Sequence, residues 1–135
     1  MKIGIDIMGG DFAPEKTIQG AILSIKEMSS DTQLLLFGKE EHILNSLKKH
    51  RFQHRSIKIV NCKDVIEMGD HPTKAFKQKP NSSIAKGFEY LAKGEIDGFA
   101  SAGNTGAMFV GGYYSVKAIS GVLRPCISVM MPKKD

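Results

Sequence analysis

Apolar residues recur along this chain in two rhythms. Four short runs, at 2–8, 33–37, 57–60 and 98–100, are nearly unbroken, as central strands of a parallel sheet are when helices cover both faces. Between them the spacing lengthens to three and four. Ile18, Ala21, Ile22, Ile25 and Met28 form one stripe, Ile43 and Leu47 another, and Ile84, Ala85, Phe88, Leu91 and Ala92 a third. Each stripe predicts a helix with one buried face. Pro14 can open the first, because its missing N–H is not needed there, and Gly94 closes the third. Pro72 opens a short helix carrying Lys74, Lys77 and Lys79, and an uncharged segment after Thr105 is helical through about Ile119. Residues 65–68 read as a short strand or a turn, and 126–131 as a further strand. This alternation, without a long structureless loop, predicts the α/β class: a three-layer α/β/α arrangement around a mostly parallel sheet.

Two glycine turns carry the candidate chemistry. Asp6 is the anomaly of the first run, since a carboxylate near the end of a buried strand needs backbone N–H groups, a cation or a ligand contact. Gly9-Gly10-Asp11 then turns the chain. The fourth run leads into Ser101-Ala102-Gly103-Asn104-Thr105-Gly106-Ala107, whose glycines let a backbone approach a ligand and whose Asn104 and Thr105 can cap the next helix. Free N–H groups at such a start favour an anion, phosphate above all. By itself this stretch reads first as an ordinary capped turn. Ligands of such sheets sit beyond the C-terminal strand ends, however, and both turns lie at ends of that kind. If the two strands are near neighbours, the two turns line one crevice. Asn81 or Ser82 caps the third-stripe helix, and Ser82 with Ser83, close after Lys79, offers a second anion position beside that simpler role.

Composition narrows the rest. A chain of 135 residues with 41% hydrophobic content supports one modest core. A formal charge of +5 suits an anionic ligand or an acidic protein partner. Lys48, Lys49, His50, Arg51, His54 and Arg55 concentrate that charge in a patch for such a partner, or in a solvated loop. His50 and His54 are four apart, but no carboxylate or cysteine completes a ligand pattern, so no metal is expected. Cys62 and Cys126, far apart, make no disulfide framework and point to a reduced, cytoplasmic setting. The uncharged stretch between Asp97 and Lys117 approaches the length of a membrane span, yet its glycines and polar residues make it a buried strand and helix instead. G-x-G-x-x-G, G-x-x-x-x-G-K-[ST] and G-x-S-x-G are all missing, which speaks against a dinucleotide fingerprint, a P-loop and a hydrolase nucleophile elbow.

Asp6-Ile7-Met8-Gly9-Gly10-Asp11-Phe12-Ala13-Pro14, Val65-Ile66-Glu67-Met68 followed by Pro72, the Ser82-Ser83 helix start, the 101–107 turn and Arg124-Pro125 resemble, in order and spacing, the bacterial phosphate acyltransferase family PlsX. The resemblance runs the length of the chain. It implies a fold similar to isocitrate and isopropylmalate dehydrogenases without nicotinamide or another cofactor, and transfer of a fatty acyl group from acyl carrier protein to inorganic phosphate for phospholipid synthesis. Catalytic roles are expected for Asp6, Asn104 and Thr105, and phosphate contacts for Gly9, Gly10, Asp11, Ser82, Ser83, Ser101, Gly103 and Gly106. Lys48, Lys49, Arg51 and Arg55 are expected to dock the acidic carrier. The resemblance further implies a cytoplasmic homodimer, peripheral association with the membrane acyltransferase of the next step, and no nucleic-acid partner. Family members run to roughly twice this size or more, so residues 1–135 are expected to be the N-terminal part of one acyltransferase domain. A phosphate acetyl- or butyryltransferase and a non-catalytic phosphate- or carrier-binding fragment are the alternatives.

Overall fold

The structure, a computed structural model, describes residues 1–132. Four strands, β1 (Lys2–Asp6), β2 (Gln33–Gly38), β3 (Ile57–Asn61) and β4 (Gly98–Ala100), form one parallel sheet in the order β3-β2-β1-β4. Five α-helices connect or follow them: α1 (Glu15–Glu27), α2 (Glu40–Lys49), α3 (Pro72–Gln78), α4 (Ser83–Ala92) and α5 (Thr105–Gly111), the last continued by a π-helical turn, Gly112–Val116.

The two-residue period of β2 divides the interior. Leu34 and Leu36 join Ile18, Ala21 and Ile43 beneath α1 and α2, whereas Leu35 and Phe37 join Cys62 and Ile96 on the α4 side. A third cluster, Ile66, Ala75, Ile84, Phe88 and Ala107, packs α3, α4 and α5 together. Edge-to-face rings link it to the sheet, with centroids 5.6 Å apart for Phe37 and Phe99 and 5.5 Å for Phe99 and Phe88. Each such pair adds about 0.5–1.5 kcal/mol beyond the area it buries. The layered α/β/α fold anticipated from the two rhythms is the fold observed.

Two local expectations need correction. The helix expected to run through about Ile119 ends at Val116, where Lys117 takes φ 69° and donates its N–H to Gly112 O. Beyond that point nothing apolar is buried among the described residues: Ile119 is 81% and Leu123 96% exposed, so further turns have no face to pack. Residues 126–131 form no strand, since β4 hydrogen-bonds only β1 among the described residues and Ile127, Val129, Met130 and Met131 stand in solvent. An apolar run becomes a strand only against a partner ladder. Residues 65–68 belong to a loop, preceded by an isolated bridge between Asp64 and Ser82. Lys133-Lys134-Asp135 lie outside the described residues.

Candidate functional site

β1 and β4 are adjacent, with Ile3 opposite Gly98, Gly4 opposite Phe99 and Ile5 opposite Ala100. The turns that follow therefore emerge side by side at the C-terminal edge of the sheet. Asp6, the last residue of β1, is 2% exposed. One carboxylate oxygen accepts from Met8 N–H at 2.9 Å and the other from the Ser101 hydroxyl at 2.6 Å. Ser101 Oγ in turn accepts from Gly103 N–H at 2.9 Å. Donors rather than a cation satisfy the buried carboxylate, and the chain of bonds ties one turn to the other.

Glycine is required where the turns meet. A Cβ on Gly9 would lie 2.6 Å from both Asp6 Oδ2 and Gly103 N. Gly10, at φ +102°, occupies a backbone region L side chains rarely adopt.

Asn104 caps α5 by accepting from Ala107 N–H at 2.9 Å. Its amide nitrogen is engaged as well, donating toward Glu67 O at 3.0 Å, Met68 O at 3.3 Å and Asp70 O at 3.0 Å. The side chain, 5% exposed, thus clamps the 67–70 loop to the start of α5. Asp70 is held from the other side by Lys79, whose ammonium donates to its carboxylate and keeps the carboxyl below its ordinary range, helped by Glu67 N–H. Gly106 faces Pro72, which a Cβ would strike. Thr105 is exposed, and the N–H groups of Thr105 and Gly106 lie in the first turn, where no intrahelical partner exists.

Beside these turns a cavity of about 260 Å³ is lined by Gly9, Gly10, Asp11, Phe12, Lys16 and Ala102, among others. Sequence reasoning missed Lys16, the cation of that lining. Its position in the first turn of the helix after a glycine turn was the available signal.

The other predicted residues are not gathered here. Ser82 is buried as the N-cap of α4, accepting from Ala85 N–H at 3.3 Å, and Ser83 follows it, both beside the segment after β3. The basic patch divides. Lys49 pairs with Glu15 at 3.2 Å, and His50 reaches the same carboxylate at 2.9 Å. These bonds, from His50 first, then Lys49 and Ser46, hold Glu15 down at about 2. Lys48 and Arg51 line a separate cavity beside β3, and Arg55 borders another with Met28, Ser29 and Thr32, near the N-terminal edge of the sheet. Three strand spacings, roughly 14 Å, separate β3 from β4. Cys62 is fully buried, which pushes its thiol up to about 12. Among the described residues no group of three or more His, Cys, Asp or Glu is placed to hold a metal ion, and no helix is long and apolar enough to cross a membrane.

Fold and turns together define a three-layer α/β/α protein with interlocked glycine turns at the carboxyl edge of a parallel sheet. The pattern that defines the fatty acid synthesis protein family matches residues 1–135, and the chain belongs to that family. Its curated relatives include the "Phosphate acyltransferase" of Dictyoglomus thermophilum, 45% identical over 132 residues, which cover 98% of this chain and 39% of the relative. The proteins of that name from Caldicellulosiruptor bescii and Clostridium tetani are 42% and 36% identical over 135 residues, covering 100% of this chain and 40% of each. The chain thus spans about 40% of the length of these relatives.

Proposed function

We propose that this chain supplies the phosphate-binding half of a phosphate acyltransferase, which moves a fatty acyl group from acyl carrier protein to inorganic phosphate. The observation that carries this reading is the contact of the Gly9 and Gly103 turns, fastened by the Asp6–Ser101–Gly103 hydrogen-bond chain. It sets Ala102, three residues before α5, on the wall of a small cavity that Lys16 also lines. Thr105 and Gly106 offer backbone N–H groups to a phosphate oxygen, and the Thr105 hydroxyl adds a donor. Gly9, Gly10 and Asp11 form the opposing wall. Asp6 and Asn104, whose polar atoms are committed within the protein, act as positioning residues.

Phosphate is partly dianionic near neutral pH and needs no strong protein base. One of its oxygens attacks the thioester carbonyl carbon, giving a tetrahedral oxyanion. Collapse breaks the carbon–sulfur bond, and the proton of the phosphate ends on the departing thiolate, leaving acyl phosphate and the free carrier thiol. Holding phosphate in line is the main catalytic contribution, with N–H groups and Lys16 near the developing charge.

The test measures acyl phosphate formed from long-chain acyl carrier protein and phosphate, trapped with hydroxylamine. In Thr105→Ala the KM for phosphate rises roughly tenfold, one charge-assisted hydrogen bond's worth, and in Ser101→Ala it rises because the turns lose their fastening to Asp6. Unchanged phosphate KM in both variants rejects the site. A preference for acetyl- or butyryl-coenzyme A over the long-chain carrier points instead to a short-acyl phosphotransferase.

A further inference from the structure

The phosphate reading leaves without a role a cavity beside β3 and a residue held in the left-handed backbone region. About 480 Å³ of space opens between α2 and the outer side of β3. Leu47, Phe52, Ile57 and Ile59 give it an apolar floor, and Leu44, 48% exposed, forms its lip. Lys48 and Arg51 give it a cationic rim, joined by His54 stacked on Phe52 with centroids 6.1 Å apart. Lys49 is paired with Glu15, whereas Lys48 and Arg51 enter none of the ion pairs among the described residues.

Arg51 is also in the wrong place for stability. α2 ends in a Schellman closure, with Phe52 N–H donating to Leu47 O at 3.0 Å and Arg51 N–H to Lys48 O at 2.9 Å. Such a closure wants glycine at the left-handed position, and Arg51 occupies it at φ 49°. The chain thus keeps an arginine where glycine would fold better, and that arginine belongs to the rim of the groove.

We propose that this groove is a docking surface for an acidic amphipathic helix on the carrier protein that delivers the acyl group. The proposal rests on the acyl-transfer reading above. Leu44 and Lys48 lie one turn apart on α2, and Arg51 follows the helix end, so the groove runs beside the last turn of the helix and its closure. A matching partner lays an apolar ridge on the floor and sets carboxylates against Lys48 and Arg51. A second copy of this chain would bring the same cations to a two-fold contact and repel. A nucleic acid would leave the apolar floor unmatched.

The experiment uses the whole protein as its cell makes it, with acyl carrier protein as probe. Fluorescence anisotropy reads binding, and turnover is assayed on the same samples. The Lys48→Glu, Arg51→Glu double variant binds the carrier roughly tenfold more weakly and loses the salt dependence of the unaltered protein, while phosphate KM stays the same. Arg51→Gly moves two readouts in opposite directions: its Tm rises by roughly a few degrees, and carrier binding weakens. A merely structural arginine could not give that pair of results. Unchanged carrier binding in both variants overturns the proposal. So does equal weakening toward acyl-coenzyme A, loss of a dimer in light scattering, or a groove that takes up duplex DNA in preference to the carrier. Carrier binding that falls in the variants while the unaltered protein forms no acyl phosphate keeps the docking surface and rejects acyl transfer.

Discussion

Substituting Gly9 by alanine tests the junction of the two turns. The new Cβ lies 2.6 Å from Asp6 Oδ2 and from Gly103 N, and 2.8 Å from Ser101 Oγ. Ordinary contact begins near 3.4 Å, so the turns must part by about 0.8 Å. All three obstacles are fixed: two are members of the hydrogen-bond chain and the third is backbone. Overpacking of this kind costs about 1–3 kcal/mol, and stretching the Ser101 bond to a buried carboxylate adds about 1 kcal/mol or more. The expected loss is about 2–4 kcal/mol, a fall in Tm of roughly 10 °C. Thermal unfolding followed by circular dichroism reads it. Activity suffers further, by about a hundredfold for a displacement approaching 1 Å, if the turns position phosphate. Gly20→Ala is the control, because nothing lies within 4 Å of its added methyl in the interior of α1. It stabilises by up to about 1 kcal/mol. A Gly9→Ala protein as stable as the unaltered chain would show that the turns do not touch as described.

Asn104→Asp retains the oxygen that caps α5 and replaces the amide that holds the 67–70 loop; hydrogen exchange at residues 67–70 should accelerate, with stability falling by about 2 kcal/mol, and unchanged exchange would remove the clamp from the account. Glu15 is depressed in the folded chain to about 2 by His50, Lys49 and Ser46, so its stabilising contribution is full above its ordinary value of 4.5 and disappears as pH falls from there toward 2. Glu15→Gln should therefore flatten the acid limb of the stability curve across that window, and an unaltered limb would contradict the pairing. Cys62 is buried with a thiol raised to about 12, while Cys126 is exposed, so a thiol reagent at pH 8 should titrate one group in the native protein and two after unfolding; two fast groups in the native protein would mean that the α4 face opens.

Strands and helices were legible because burial on two faces and burial on one leave different spacings, and the fold follows from both. The adjacency of β1 and β4 was visible only as a condition. Nothing local in Gly98-Phe99-Ala100 names its partner, and two strands and four helices intervene between β1 and β4. Asn104 shows why the site was harder to read. Its capping role depends on residues three positions away, but the carbonyls it clamps come from 34 to 37 positions upstream. Lys49 is the same case in electrostatics: a patch of neighbours in sequence is divided in space because Glu15 reaches across from α1. The 126–131 run carries the strand pattern correctly and lacks the ladder that would make it one.

The two glycine turns are anchored in different interiors. Ile7, two residues before Gly9, packs with Ile18, Leu34 and Ile43, whereas Ala107, four residues after Gly103, packs with Ile66, Ile84 and Phe88. Where β1 hands over to its turn, the fastening across this seam is the bond from Ser101 to Asp6. A molecule seated there would bridge two cooperative units, so its binding energy would appear as protection of both against local opening. The seam is thus a natural place for occupancy to add to order, reinforcing the grip on the sheet that the Phe37, Phe99 and Phe88 rings already give the α3, α4 and α5 cluster.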